Sequence, residues 1–294
     1  MASLKDIRKR IQSVKSTRQI TRAMKMVAAA KLRRSQEAIL SARPFAYRIY
    51  AIMASLASRE GVKHPLLEKR EEKKIRTIIL AGDRGLCGSF NANIFKEAHR
   101  FISSKETEGI EVAVDCIGKK AFDFFKKRRT IGSYHEGLLS DAKYVSVASI
   151  ADEILETYVK AEFDAIYLVY NEFKSAIQQK VIVERLIPIS LEVPEGVASI
   201  LRINEEERFK NYLFEPSKEE ILEMVVPRHF KTQLFRSVLE SVASEHGARM
   251  TAMENATKNA SEMIDSLTLQ YNKARQASIT KELMEIVSGV EAMK

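Results

Sequence analysis

The chain has 294 residues, 45% of them hydrophobic and 30% charged, with a formal net charge of +9. That balance is ordinary for a folded soluble protein, and no apolar run approaches the roughly 18 residues of a bilayer-spanning helix. Two cysteines, Cys87 and Cys116, lack ligand-like spacing and read as packing groups in a reducing compartment, and the start "MASLKDIRKR" has no apolar signal core.

The charge is local. Residues 1–43 carry twelve Lys and Arg against only Asp6 and Glu37, a surplus larger than that of the whole chain. Residues 1–60 contain no glycine, and the first proline is Pro44. Leu4, Ile7, Ile11 and Val14 recur at three-four spacing, the mark of one helical stripe. The stripe is expected to continue through Ile20, Met24, Val27 and Ala28 to Leu32, across a seam made imperfect by Arg18, Lys25 and many alanines. Pro44 is expected to bend or interrupt the helix, which resumes at "FAYRIYAIMASLAS" and closes near Gly61. An amino-terminal helical segment over 1–60 follows.

The middle of the chain, 75–195, is rich in turns. "RTIILAG" and "EVAVDCIG" are β-branched runs closed by glycine, each followed by a helix-like stretch, "NIFKEAHRFISS" and "KKAFDFFKKR". "ADEILETYVKA" reads as an amphipathic helix, and "DAIYLVYNEF" and "KVIVERLIPI" as strands. Strands alternating with helices imply a small α/β, Rossmann-like domain with a largely parallel sheet.

The carboxyl-terminal segment, 217–294, opens on an S-x-x-E capping box at Ser217 and Glu220, with Pro227 as a kink or a fresh start. From Arg228 a helical pattern runs almost to the end through Leu234, Val238, Val242, Met253, Ala256, Met263, Leu267 and Ala274. Some 60 residues at about 1.5 Å each make a rod of roughly 90 Å, in which Gly247 marks a weak point or a close approach. Each long helix needs a partner for its stripe. The simplest is the other terminus, so the fold class is α/β with an antiparallel coiled coil made by the two ends.

Candidate chemistry is sparse. In "AGDRGLCGSFN" the glycines 82, 85 and 88 do not make G-x-G-x-x-G, and no Gly-Lys-Ser/Thr follows, so a tight strand-to-helix turn is the reading. The five histidines are scattered without metal-ligand spacing, and "YHEGLLSD" reads as a solvated loop. No catalytic residue, cofactor site or metal site is indicated. The basic helix is open to three readings. It can bind phosphates, but no aromatics interleave its bases. It can lie on a membrane, but it offers Ala and Met opposite them. It can be a shaft whose charges face acidic protein loops. A nucleic-acid-binding coiled coil is the alternative function, and a nucleotide-binding enzyme using "GDRGLCG" a distant third.

The two ends resemble the gamma subunit of F-type ATP synthases. "IRKRIQSVKSTRQITRAMKMVAAAKLRR" is similar to that family's amino-terminal signature, "DRGLCGSFN" to its central loop, and "SEHGARMTAMENATKNASEMIDSLTLQYNKARQASITKELMEIVSG" to its last helix. The family's closing Gly-Ala is Gly289-Val290 here, and the chain lacks the cysteine-bearing insertion of chloroplast members. The resemblance implies a non-catalytic central-stalk rotor, with the coiled coil inside a ring of three alpha and three beta subunits. The α/β domain then meets the epsilon subunit and the membrane c-ring. The complex is expected at the cytoplasmic face of the bacterial plasma membrane, with no nucleic acid bound. Residue by residue, the resemblance implies that Met24 is a coupling methionine and that Arg249, opposite it, meets an acidic beta loop. Arg275 and Gln276 match a pair that engages a beta catch loop, and Thr280 and Glu282 match coupling-sensitive positions.

Overall fold

The computed structural model describes residues 4–57, 64–189, 217–291 and 293. Among these described residues the elements in order are α1 (Leu4–Ala57), β1 (Lys74–Leu80), α2 (Phe90–Thr107), β2 (Glu111–Ile117), α3 (Lys119–Phe125), β3 (Ile131–His135), α4 (Tyr144–Val159), β4 (Ala165–Phe173), β5 (Gln179–Ile187) and α5 (Lys218–Glu291). The chain divides into two compact units, Met1–Ala29 with Arg249–Lys294, and Ala30–Ala248.

In the 30–248 unit the five strands lie in the order β3-β2-β1-β4-β5. β1 pairs in parallel with β2 and β4, β2 in parallel with β3, and β5 closes the sheet antiparallel to β4. The central strand β1, "KIRTIIL", is buried from Ile75 to Leu80, as a strand covered on both faces must be. Its period of two sends Ile78 and Leu80 into one core and Ile79 into another. The first core gathers α4, Ile49 and Met53 of α1, and Leu222 to Val242 of α5. The second gathers α2 and α3 through Phe90, Ile94, Ala98, Ile102, Ala121 and Phe125. The alternating reading of the middle therefore stands, with β3 added. "YHEGLLSD" is not a solvated loop: His135 ends β3, and Leu138 and Leu139 are buried.

A buried ion pair pins the strands together. Arg76 of β1 donates through Nε to Asp115 Oδ2 and through Nη1 to Thr157 Oγ1 of α4 at 2.8 Å. Asp115 Oδ1 accepts the Ser133 N–H of β3 at 2.9 Å. A Cβ on Gly132 would stand 2.7 Å from that same oxygen, so the strand passes only because the side chain is absent.

Neither proline ends its helix, so of the expected outcomes the interruption at Pro44 and the fresh start at Pro227 do not occur. α1 runs through Pro44 and α5 through Pro227. An interior proline costs about 3 kcal/mol, yet Ile49 and Met53 after the first, and Val226 and Phe230 around the second, are buried in one core. Packing outweighs the lost backbone bond. Ser217 Oγ caps α5 as expected, accepting the Glu220 N–H at 3.2 Å, while Glu220 Oε1 takes the Ser217 hydroxyl rather than its backbone. The expected end of the first helix near Gly61 lies outside the described residues.

Candidate functional surface of the paired terminal helices

The unit made of residues 1–29 and 249–294 holds every side chain singled out from the sequence. Thr21 lies against Thr257, with hydroxyl oxygens 2.8 Å apart, and Lys25 Nζ meets Glu254 Oε1 at 2.7 Å. As the first number rises the second falls, so the helices are antiparallel. The seam follows strict three-four spacing: Leu4, Ile7, Ile11, Val14, Arg18, Thr21, Lys25 and Ala28 are buried or half-buried. Opposite them lie Met253, Thr257, Ala260, Ile264, Leu267, Tyr271, Ala274 and Ser278. Two apolar residues assigned to the first stripe are not in it, since Ile20 and Val27 are each 57% exposed. On α5, Met263 is exposed and Ile264 takes the seam.

Thr21 also approaches the Arg18 carbonyl at 3.1 Å, and Thr257 the Met253 carbonyl at 2.7 Å. Each hydroxyl therefore has an acceptor on its own helix as well as a neighbour across the seam. Lys5, Arg8, Lys9, Arg10, Lys15 and Arg22 stand exposed on α1. A cationic face beside a thin seam of alanine, threonine and half-buried arginine is suited to contact with anionic groups rather than to burial in a core.

The candidate residues fall at separate heights. Met24 is half-buried near the Lys25–Glu254 pair. The register carries Arg249 about 7 Å along the axis from Met24, not level with it. Arg249 is half-buried and already engaged by a protein group. Arg275 and Gln276 are exposed, about 30 Å from the height of Met24. Thr280 and Glu282 are exposed too, with Glu282 accepting the Ser278 hydroxyl at 3.3 Å. The helix pair thus presents two levels, not one pocket.

One feature of this surface escaped the sequence reading. The register aligns Leu4 with about residue 274, so residues 279–291 run on for about 20 Å beyond the start of α1. Every one of them is exposed, including Ile279, Leu283, Ile286, Val287 and Val290 on one helical stripe. Counting the register from the helix lengths would have revealed an exposed apolar tip.

Elsewhere the candidate motifs are structural. Asp83 of "DRGLCG" accepts the Lys119 N–H at 3.0 Å, the Gly137 N–H at 3.3 Å and the Ser140 hydroxyl at 3.2 Å. Gly82 N–H donates to Asn91 Oδ1 at 3.0 Å. These bonds fix a tight turn between β1 and α2. His135 and Glu136 diverge: His135 Nε2 is 3.9 Å from Glu153, and Glu136 accepts the Tyr134 hydroxyl at 2.8 Å. Burial pushes the Cys116 thiol up to about 12, so it is no nucleophile at neutral pH. A shallow depression of about 620 Å³ is lined by Phe122 and residues 126–131. Three of its four cations have protein partners: Lys126 binds Asp123 at 2.6 Å, Arg128 donates to the Phe124 carbonyl at 2.6 Å and Arg129 binds Glu106. Among the described residues no group of His, Cys, Asp and Glu is arranged to hold a metal, and no helix is long and apolar enough to cross a membrane.

Comparison with known proteins gives a consistent answer. The sequence profile of the family described as ATP synthase matches residues 3–293. The chain is 52% identical to the ATP synthase gamma chain of Geobacter metallireducens and 50% identical to that of Geotalea uraniireducens, each over the whole of both chains. Among solved structures, the Euglena gracilis mitochondrial ATP synthase rotor in rotational state 1 has a chain of similar fold. The TM-score is 0.64 at 23% identity, with 94% of this chain and 98% of that one covered. A chain of the same enzyme in rotational state 3 gives 0.66 at 22% identity, covering 99% and 94%.

Proposed function

The chain belongs to the ATP synthase gamma chain family, and from that premise we propose that it is the central shaft of a rotary ATP synthase. It catalyses nothing itself. The coiled coil stands inside three alpha and three beta subunits, and the α/β unit meets the epsilon subunit and the c-ring. Ion flow through the membrane sector turns the shaft, and its unequal surface drives each beta site through states of different nucleotide affinity. Only contacts that differ between those states can do this. The complex is peripheral to the membrane, at the cytoplasmic face of a bacterial plasma membrane.

The observation that carries this reading is the antiparallel pairing of the two termini, with a cationic face on α1 and an exposed apolar tip on α5. Met24, Arg249, Arg275, Gln276, Thr280 and Glu282 are the contacts to the beta subunits. The exposure of Arg275, Gln276, Thr280 and Glu282 supports that role, and the planar fork of arginine suits a carboxylate.

Reconstitution tests it. The tagged chain is mixed with matching alpha and beta subunits, and native mass and ATPase turnover are read. One copy per three alpha and three beta, with turnover dependent on the chain, is expected. Failure to assemble with folded partners overturns the shaft reading.

A further inference from the structure

Within the 30–248 unit, α5 lies along the β4–β5 hairpin from Gln233 to Gly247. Glu184 of β5 accepts from the Gln233 amide and faces the Arg236 guanidinium at 3.4 and 3.5 Å. One turn on, Glu240 Oε1 is 3.9 Å from Arg236 Nε. Glu172 of β4 pairs with Lys174 at 2.8 Å. Farther along, Ser244 donates to the Asn171 carbonyl at 3.2 Å. At Gly247 the backbones come so near that a Cβ would lie 3.2 Å from Ala176 Cα.

Glu172 has Lys174 beside it and Lys180 across from it in the β4–β5 register, with Lys180 exposed. The inner group, Glu184 and Glu240 against Arg236, carries one negative charge in excess. Tyr170 of β4 and His229 of α5 also interact with them: burial raises the phenol, and burial with Arg236 lowers the imidazole to about 4, so both stay neutral near pH 7. At the centre, Glu240 Oε2 and Arg236 Nε are buried with no hydrogen-bond partner among the described residues. A buried carboxylate oxygen that lacks a donor, with two carboxylates beside it, is costly as an anion and tolerable as an acid.

We propose that this seat is a proton-operated latch, in which Glu240 carries a proton while α5 is seated on the hairpin and loosens the seat when it ionises. Burial is the main cause that raises Glu240, to about 7, with Glu172 and Glu184 adding to it and Arg236 and Lys174 opposing. Its ordinary value is 4.5. The folded chain therefore holds a proton that the unfolded chain gives up between those values. The stabilisation is complete below pH 4.5 and is lost as pH rises through 7. The latch concerns the folding of this unit and does not rest on the rotor reading.

Hydrogen exchange by mass spectrometry on the full-length chain tests it, following peptides over 165–187 and 230–247 from pH 6 to 8.5. After correction for intrinsic exchange, opening is expected to rise by at most about tenfold per pH unit on the way up to 7 and to level off above it. Glu240→Gln is expected to flatten that rise. Equal slopes in the two chains overturn the latch. If Glu240→Gln does not fold, Glu172→Gln decides. Removing a neighbouring negative charge displaces the rise to lower pH if Glu240 is the proton's seat, and an unmoved rise overturns the proposal.

Discussion

Thr21 and Thr257 face one another across the seam of the terminal helices, their hydroxyl oxygens 2.8 Å apart, between the half-buried Arg18 and Lys25 of α1. A polar pair inside a seam fixes register, because sliding either helix by a turn sets a hydroxyl against a methyl. Each hydroxyl keeps a carbonyl acceptor on its own helix, so single alanine substitutions are expected to cost only about 1 kcal/mol. The cycle of Thr21→Ala, Thr257→Ala and the double variant is expected to show a coupling of about 0.5–1 kcal/mol. Thermal unfolding followed by helical circular dichroism reads it, and strict additivity contradicts the register role.

The Arg76–Asp115 pair makes a sharper prediction. Both side chains are buried, and Asp115 also holds β3 through the Ser133 N–H. Asp115→Asn leaves the Arg76 charge without its partner and is expected to cost about 3–5 kcal/mol. Replacing both by apolar groups, Arg76→Met with Asp115→Leu, is expected to recover much of that loss. Denaturant unfolding measures the difference, and a double variant weaker than the single one contradicts the account.

Gly118 separates β2 from α3 at φ 97°, and a Cβ there would fall 1.8 Å from the Ala81 carbonyl oxygen. Backbone, not a flexible side chain, is in the way. Gly118→Ala is expected to prevent the 30–248 unit from folding, while Gly289→Ala, which meets nothing within 4 Å, is expected to leave it intact. Limited proteolysis of the two variants tells them apart, and equal resistance contradicts the steric argument.

For the proposed shaft, Arg275→Ala with Gln276→Ala is expected to leave helix stability within about 0.5 kcal/mol, as surface changes do. ATP turnover of the reconstituted complex is expected to fall roughly tenfold, the equivalent of about 1.4 kcal/mol in transition-state stabilisation. Met24→Lys is expected to assemble yet lose coupling, because a new cation on this face can bond an acidic beta loop. Proton pumping at the normal ratio to hydrolysis in that variant argues against a coupling role for Met24.

Much of this fold was readable in the chain, and each failure has a physical cause. The first four apolar residues of α1 set a three-four spacing that continues unbroken through Arg18, Thr21 and Lys25. Reading by hydrophobicity selected Ile20 and Val27 instead, both exposed. In a thin two-helix seam geometry assigns the position and chemistry follows, since long arginine and lysine stems can lie along the seam with their charges in water. At the prolines the helices continue because local cost is overridden by buried neighbours that no local pattern reveals. β3, "IGSYH", was missed because a five-residue edge strand with a glycine carries almost no periodic signal. The proposed contact residues were singled out only through family resemblance, as polar side chains on a helix face leave no trace in spacing alone.

The apolar stripe at the end of α5 also bears on how the chain is made. Ile279, Leu283, Ile286, Val287 and Val290 stay bare in the lone molecule, and bare apolar patches drive association. A copy produced in excess of whatever covers that stripe is expected to associate with other copies. Supply is therefore safest in fixed proportion to the surrounding subunits, and the helix end acts as a quality mark that disappears on correct assembly.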